Sequence, residues 1–351
     1  MQSKAHQTIP VYEGPETTSF GIFGTSPESP DGKRICYTRY PHFPSKGETK
    51  AAEGELWVCD QNLSSHRKLV NLIVKPLHNG TRAFWVDNDQ IAYSSNREIF
   101  VVDAASGETL LGPYRGDLGH DAYDHRLLFW DLSQGEREPG PYELDADSGQ
   151  LRLLVQVAEI RECVEKGLER KISDFTAKHL AFSKDGSLIG FRLHGELENM
   201  LTFRPDGSEL RLYPTKKPMH QLWYDGNTIM GVWRKGPEGK IRHFYRWSLE
   251  GEVLEELAGS VSHAAASPDR QWFAGETCDY FKQPVEMALY RRGETEPVAT
   301  FFKHPYADIT WNQRFHVNPA FSRDGKRLYF WEATREDKVE ARFADLSSIE
   351  S

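Results

Sequence analysis

The chain contains no apolar run approaching the length of a membrane span, which argues against a helical membrane protein. Its opening stretch, MQSKAHQTIPVYEGP, has no apolar core of the kind a secretory signal needs, so a cytoplasmic location is expected. Cysteine is scarce. Cys36, Cys59, Cys163 and Cys278 lie far apart with no CxxC spacing, the pattern of buried thiols in a reducing compartment and not of a disulfide framework. No low-complexity tract or interdomain linker interrupts the sequence, and no GxSxG elbow marks a serine hydrolase. Basic residues are outnumbered 43 to 52, giving a net charge of -9. A diffuse acidic surface repels phosphate backbones, so neither nucleic acid nor membrane is expected as a partner. An anionic substrate would need a local cluster of arginine, histidine or metal.

What the chain does have is a repeat. Hydrophobic residues make up 38% of it and aromatics 12%, ample for a packed core. SPDGKRICYTRY (Ser29 to Tyr40) returns as FSKDGSLIGFRL (Phe182 to Leu193), WYDGNTIMGVWR (Trp223 to Arg234), ASPDRQWFAGET (Ala266 to Thr277) and FSRDGKRLYFWE (Phe321 to Glu332). Weaker copies are VDNDQIAYSS (Val86 to Ser95) and AYDHRLLFWD (Ala122 to Asp131). Seven copies in 351 residues give about 50 residues per unit, the period of a propeller blade. In each copy a polar turn precedes a β-branched and aromatic run, and a second hairpin such as MLTFRPDGSELRLY usually follows. Two hairpins make a four-stranded blade. The expected fold is therefore all-β, a single seven-bladed β-propeller over 1–351, with blades at roughly 15–75, 76–117, 118–156, 175–215, 216–258, 259–312 and 313–348. Val157, Ile160, Val164 and Leu168 recur at helical spacing and predict a surface helix inserted at about 157–172. Asp145-Ala-Asp147-Ser-Gly149 lacks the remaining acids of a calcium loop and reads as a polar turn.

Histidines occupy one phase of this repeat. His120, His179, His220, His263 and His316 each stand just before the turn of a successive unit, opening what should be the innermost strand. A propeller brings that position of every blade to one rim of the central channel. A single histidine at a strand start is most often a satisfied polar residue. Five in one phase point to a site. In WNQRFHVNPAFS, strand alternation would place His316 and Asn318 on one face, with Gln313 just ahead. With His263, these imidazole and amide groups suit an intermediate divalent cation such as Mn²⁺.

From Lys178 to Trp331 the sequence resembles the oligogalacturonate lyase family, which are seven-bladed propeller polysaccharide lyases. The blade openings KHLAFSKDG (with HGE after it), MHQLWYDG, VSHAAASPD and QRFHVNPAFSRDGK carry the resemblance. It implies a manganese-type metal held at His263, Gln313, His316 and Asn318, and a catalytic histidine at His220. The family's Gln-x-x-His-x-His run ends here in Asn318, and its active-site arginine falls near Asn199. Arg314, Arg204 or Arg234 would then meet a substrate carboxylate, with His120, His179, His194 and Asn199 as further substrate contacts.

The chemistry implied is β-elimination on a uronate-containing oligosaccharide. A proton α to a carboxylate is removed and the O4 glycosidic oxygen leaves. A divalent metal on the carboxylate neutralises it and stabilises the enolate-like charge, and a neutral histidine takes the proton. The alternative is a non-catalytic propeller that binds carbohydrate or protein partners.

Overall fold

The computed structural model describes residues 7–42, 51–75, 80–132, 135, 137–194, 197–216, 218–235, 241–277, 285–304, 316–335, 338–347 and 349. Its strands form antiparallel sheets in chain order. Five are separate four-stranded blades, beginning at Thr17–Ser19, Thr176–Phe182, Met219–Trp223, Ala264–Ala266 and Ala320–Phe321. The remaining seven-stranded sheet spans Phe84–Trp85 to Leu151–Leu153. Within it the long strand Thr109–Leu118 does two jobs. Its first part pairs with Glu98–Asp103, and its end, Gly116 to Leu118, pairs with Arg126–Asp131.

The last blade is completed from the other end of the chain. Thr8–Pro10 adds outside Lys338–Asp345, with Ile9 opposite Phe343. The N-terminal strand thus covers the outer edge of the last blade and ties the two ends of the ring together. The buried apolar side chains form seven clusters, and each joins consecutive sheets or the two halves of the seven-stranded one. Trp85 and Tyr93 meet Cys36 and Leu56 in one, for example, and Trp331 meets Tyr37 in another. The core therefore lies between blades.

The turn motif works as its composition requires. In Ser-x-Asp-Gly copies the serine hydroxyl donates to the aspartate, at 2.7 Å for Ser29 and Asp31 and 2.8 Å for Ser183 and Asp185. The same carboxylates accept the amide N–H of Lys33 and Ser187. Such turns fix where each inner strand ends, and hence the height of the residues before it. Asp145 accepts the N–H groups of Asp147 and Ser148 in the polar turn expected there. The inserted helix is shorter than the apolar spacing predicts. It runs Val157–Leu168, buries Ile160 and Val164, and stops where Glu169 turns left-handed at φ 53°. Among the described residues no helix is long and apolar enough to cross a membrane.

Candidate active site

Each of seven turns is closed by a backbone hydrogen bond, donated by Ser29, Val86, Tyr123, Ser183, Tyr224, Ser267 and Ser322 to a carbonyl three to five residues on. Four residues before each lie Thr25, Arg82, Gly119, His179, His220, His263 and Asn318. This is the inner ring. His179 and His220 do not open their strands as the sequence suggests. They sit inside them, at register shifts between Lys178 and Ala181 and between Met219 and Leu222. Arg82, His179, His220 and Asn318 all have positive φ, 49°, 57°, 50° and 47°. That conformation is strained for non-glycine residues, and four units share it at one position. It also ends the expected strand alternation at His316 and Asn318, since among the described residues the strand here is Ala320–Phe321.

The five histidines converge. His120 Nε2 lies 2.7 Å from His179 Nδ1. The His220 and His263 rings stack at 4.1 Å, and His263 and His316 lie 4.1 Å apart. At their centre stands Phe23, 5.7 Å from His120, 6.0 Å from His179 and His220, and 4.9 Å from His263. A loop following Thr17–Ser19 carries it across the channel. Gly24 makes that crossing possible. It has φ +75°, its N–H donates to Pro319, and a Cβ would fall 2.5 Å from Leu222. Phe23 is only 2% exposed, so its ring fills the channel beside the imidazoles.

The two arcs of the ring differ in chemistry. At His120 and His179, burial together with the Arg82 charge disfavours protonation, pushing His120 down to about 3 and His179 well below its usual value. The His120 Nδ1 is buried with no hydrogen-bond partner among the described residues. An unpaired buried acceptor is less costly than an unpaired N–H, so His120 donates from Nε2 to His179 Nδ1, leaving His179 an N–H on its outer nitrogen. Both rings are neutral, and His179 is the one left with an N–H to offer a hydroxyl.

At the other arc the deciding residue is one the sequence did not single out. Glu276, 3% exposed on Trp272–Thr277, hydrogen-bonds His263 Nδ1, lies 3.6 Å from His316 Nδ1, and accepts the Val317 N–H at 3.1 Å. Burial alone would raise its pKa, but the two imidazoles hold it well below the usual carboxylate range. The ligand-capable atoms of His263, Glu276 and His316 lie within 4.8 Å of one another. A buried carboxylate accepting from Nδ1–H fixes the tautomer that puts the lone pair on Nε2, as a metal-bound histidine requires. Imidazole and carboxylate donors fit Mn²⁺ or a similar ion. His220 Nδ1 lies 3.3 Å from the Ser262 carbonyl, which it serves as a donor, so its basic nitrogen is Nε2.

Other predicted residues are scattered. Asn318 is 2% exposed, at the ring position beside His316. His194 is exposed at a strand end, and burial and Lys178 lower its pKa. Asn199 is buried, with Oδ1 unbonded among the described residues and its carbonyl accepting from Leu193. Arg204 is not available to the ring: it pairs with Glu209 at 2.7 Å in a surface hollow of about 480 Å³ that no histidine lines. Gln313 and Arg314 lie outside the described residues. Arg82, by contrast, had no prediction and sits in the ring itself. A second set, Asp87, His125 and Asp147, is also close enough to share an ion but lies on the surface.

An oligogalacturonate lyase solved in complex with manganese matches over 100% of this chain and 96% of its own, at TM-score 0.69 and 18% identity. The oligogalacturonate lyase of Vibrio parahaemolyticus matches over 98% and 95%, at TM-score 0.68 and 15% identity. The fold is that of the oligogalacturonate lyases. The β-propeller domain of Myceliophteria thermophila Cps50 (Swd1) is a more distant likeness, at TM-score 0.58 and 10% identity over 97% of this chain and 99% of that domain. No protein-family profile and no curated protein matches the sequence. The likeness to the oligogalacturonate lyases, read first from blade openings after Lys178, extends in the fold over the whole chain.

Proposed function

We propose that the protein is a divergent member of the oligogalacturonate lyase family, a seven-bladed propeller that cleaves a uronate-containing oligosaccharide by metal-dependent β-elimination. Dividing the seven-stranded sheet at the shared strand Thr109–Leu118 gives two blades and makes seven in all, in keeping with seven inter-blade clusters. One observation carries the reading. His263 and His316 from successive blades meet on the buried carboxylate of Glu276, with the His220 ring stacked alongside.

His263 and His316 would hold the metal, with Asn318 and Gln313 as further ligands and Glu276 fixing the rings. When bound, the ion supplies Lewis-acid stabilisation to a carboxylate and its developing enolate. His220, donating from Nδ1 to Ser262, takes the α proton at Nε2. His179, held by the buried His120, hydrogen-bonds a substrate hydroxyl while staying neutral, with His194 and Asn199 as further substrate contacts. Phe23 shuts water out from beneath the rings, which strengthens every charge interaction above them. Manganese is the ion of choice because a manganese complex is known for a protein of this fold. A cytoplasmic location would suit an enzyme acting on imported oligosaccharides.

A purely scaffolding propeller would not bury a carboxylate against two histidines at the channel wall. The test is elimination itself: oligogalacturonate incubated with the protein and Mn²⁺ should yield unsaturated product absorbance. Its absence on every uronate oligosaccharide tried, with metal present, would overturn the proposal.

A further inference from the structure

The ring position that holds His179, His220, His263 and Asn318 holds an arginine in the second unit. We propose that Arg82, assisted by Lys178, forms an anion subsite beside His120 and His179 that grips a carboxylate of an acidic saccharide. This rests on the reading of the ring as a carbohydrate site but does not require elimination or a metal.

Three observations support it. Arg82 and His179 are enclosed by protein yet keep accessible surface, as side chains lining a narrow channel do. Arg82 donates to the Leu118 carbonyl at 2.5 Å, but no carboxylate among the described residues lies within ion-pairing distance of it or of Lys178. Positive charge is also crowded here. Lys178 stands directly across the strand pair from Arg192, which pairs with Glu198, and the charges of Arg82 and Arg97 both act on it, while Asp117 acts on both Lys178 and Arg82 from beyond ion-pairing distance. Half-buried cations without a partner carboxylate are costly, and more so when they repel one another. In a chain of net charge -9 such a local excess is the opposite of the background. A guanidinium fork matches a carboxylate bidentately, and a lysine adds a point charge. The neutral His179 alongside, held by His120, suits a hydroxyl of the same sugar.

The experiment is calorimetric titration of the chelator-treated full chain with digalacturonate and with neutral galactobiose. Wild type should bind the acid at least about tenfold more tightly than the neutral sugar, and more weakly as salt is raised. Arg82→Gln should weaken acid binding roughly tenfold or more and leave galactobiose unchanged, Arg82→Lys should recover part, and Lys178→Gln should lose several-fold. Equal affinity for acid and neutral sugar, no digalacturonate binding by wild type, or unchanged affinity in a folded Arg82→Gln would overturn the subsite. If that variant fails to fold, unchanged affinity in Lys178→Gln overturns it instead. No metal is present and no bond breaks, so intact Arg82-dependent binding without later elimination fails the lyase reading alone.

Discussion

Acidification should destabilise this propeller through one buried pair. In the native chain His120 titrates at about 3, chiefly because it is buried and also because Arg82 and Lys184 repel its charged form. In the unfolded chain it titrates near ~6.5. Its native pKa is depressed, so the unfolded chain binds a proton the folded one refuses throughout that window. The contribution is fully present above ~6.5 and is lost as pH falls toward 3. Between about pH 7.5 and about pH 5 linkage gives a loss of about 2 kcal/mol from His120 alone. His179, held well below its usual value mainly by burial, shifts stability in the same direction. Glu276 does not confuse this window. Its pKa is depressed, so its contribution disappears only as pH falls through and below the ordinary carboxylate range. Urea unfolding at the two pH values, for wild type and His120→Asn, reads the effect. The variant should be less stable at neutral pH but lose at least about 2 kcal/mol less on acidification. Equal losses in the two proteins, or a wild type whose stability is flat across the window, would refute the reasoning.

Two further substitutions probe the centre of the ring. Phe23→Ala removes a 2%-exposed ring packed on four imidazoles and should cost about 3–5 kcal/mol in denaturant unfolding. By admitting water it should also raise the His120 pKa, seen as a flatter stability-versus-pH curve, and an unchanged curve would mean that Phe23 is not what keeps the histidines dry. Glu276→Gln keeps the size of the side chain but not the charge shared by His263 and His316, and should weaken Mn²⁺ binding roughly 10–100-fold in a metal titration. Undiminished affinity would remove Glu276 from the site.

Much of this arrangement is legible in the chain. The Asp-centred turns and the convergence of the histidines follow from a repeat in which each unit contacts its neighbours, although only His179, His220 and His263 share one ring position, with His120 one residue after it and His316 two before. The rest depends on relations a one-dimensional phase does not contain. Glu276 is one of 52 acidic residues. It reaches His263 only because its strand pairs back across the turn, with the Glu276 N–H donating to the His263 carbonyl. Counting the same distance beyond each turn as the histidine lies before it would have found it. Arg82 was hidden because its unit has the weak turn VDNDQ and no histidine to draw attention, although stepping back four residues from Val86 lands on it. Phe23 lies in a crossing loop that belongs to no strand pattern. Helical spacing continues past Leu168, but the left-handed Glu169 ends the helix there.

If His263 and His316 hold a metal that enables elimination, the initial rate of unsaturated-product formation from oligogalacturonate must depend on both. It should be measured on metal-loaded wild type, the chelated protein, the chelated protein resupplied with Mn²⁺, and His316→Ala. Activity is expected in the first, its loss in the second, recovery in the third, and no recovery in His316→Ala at any Mn²⁺ concentration that leaves the protein folded. Equal rates with and without metal, or a fully active His316→Ala, would contradict this.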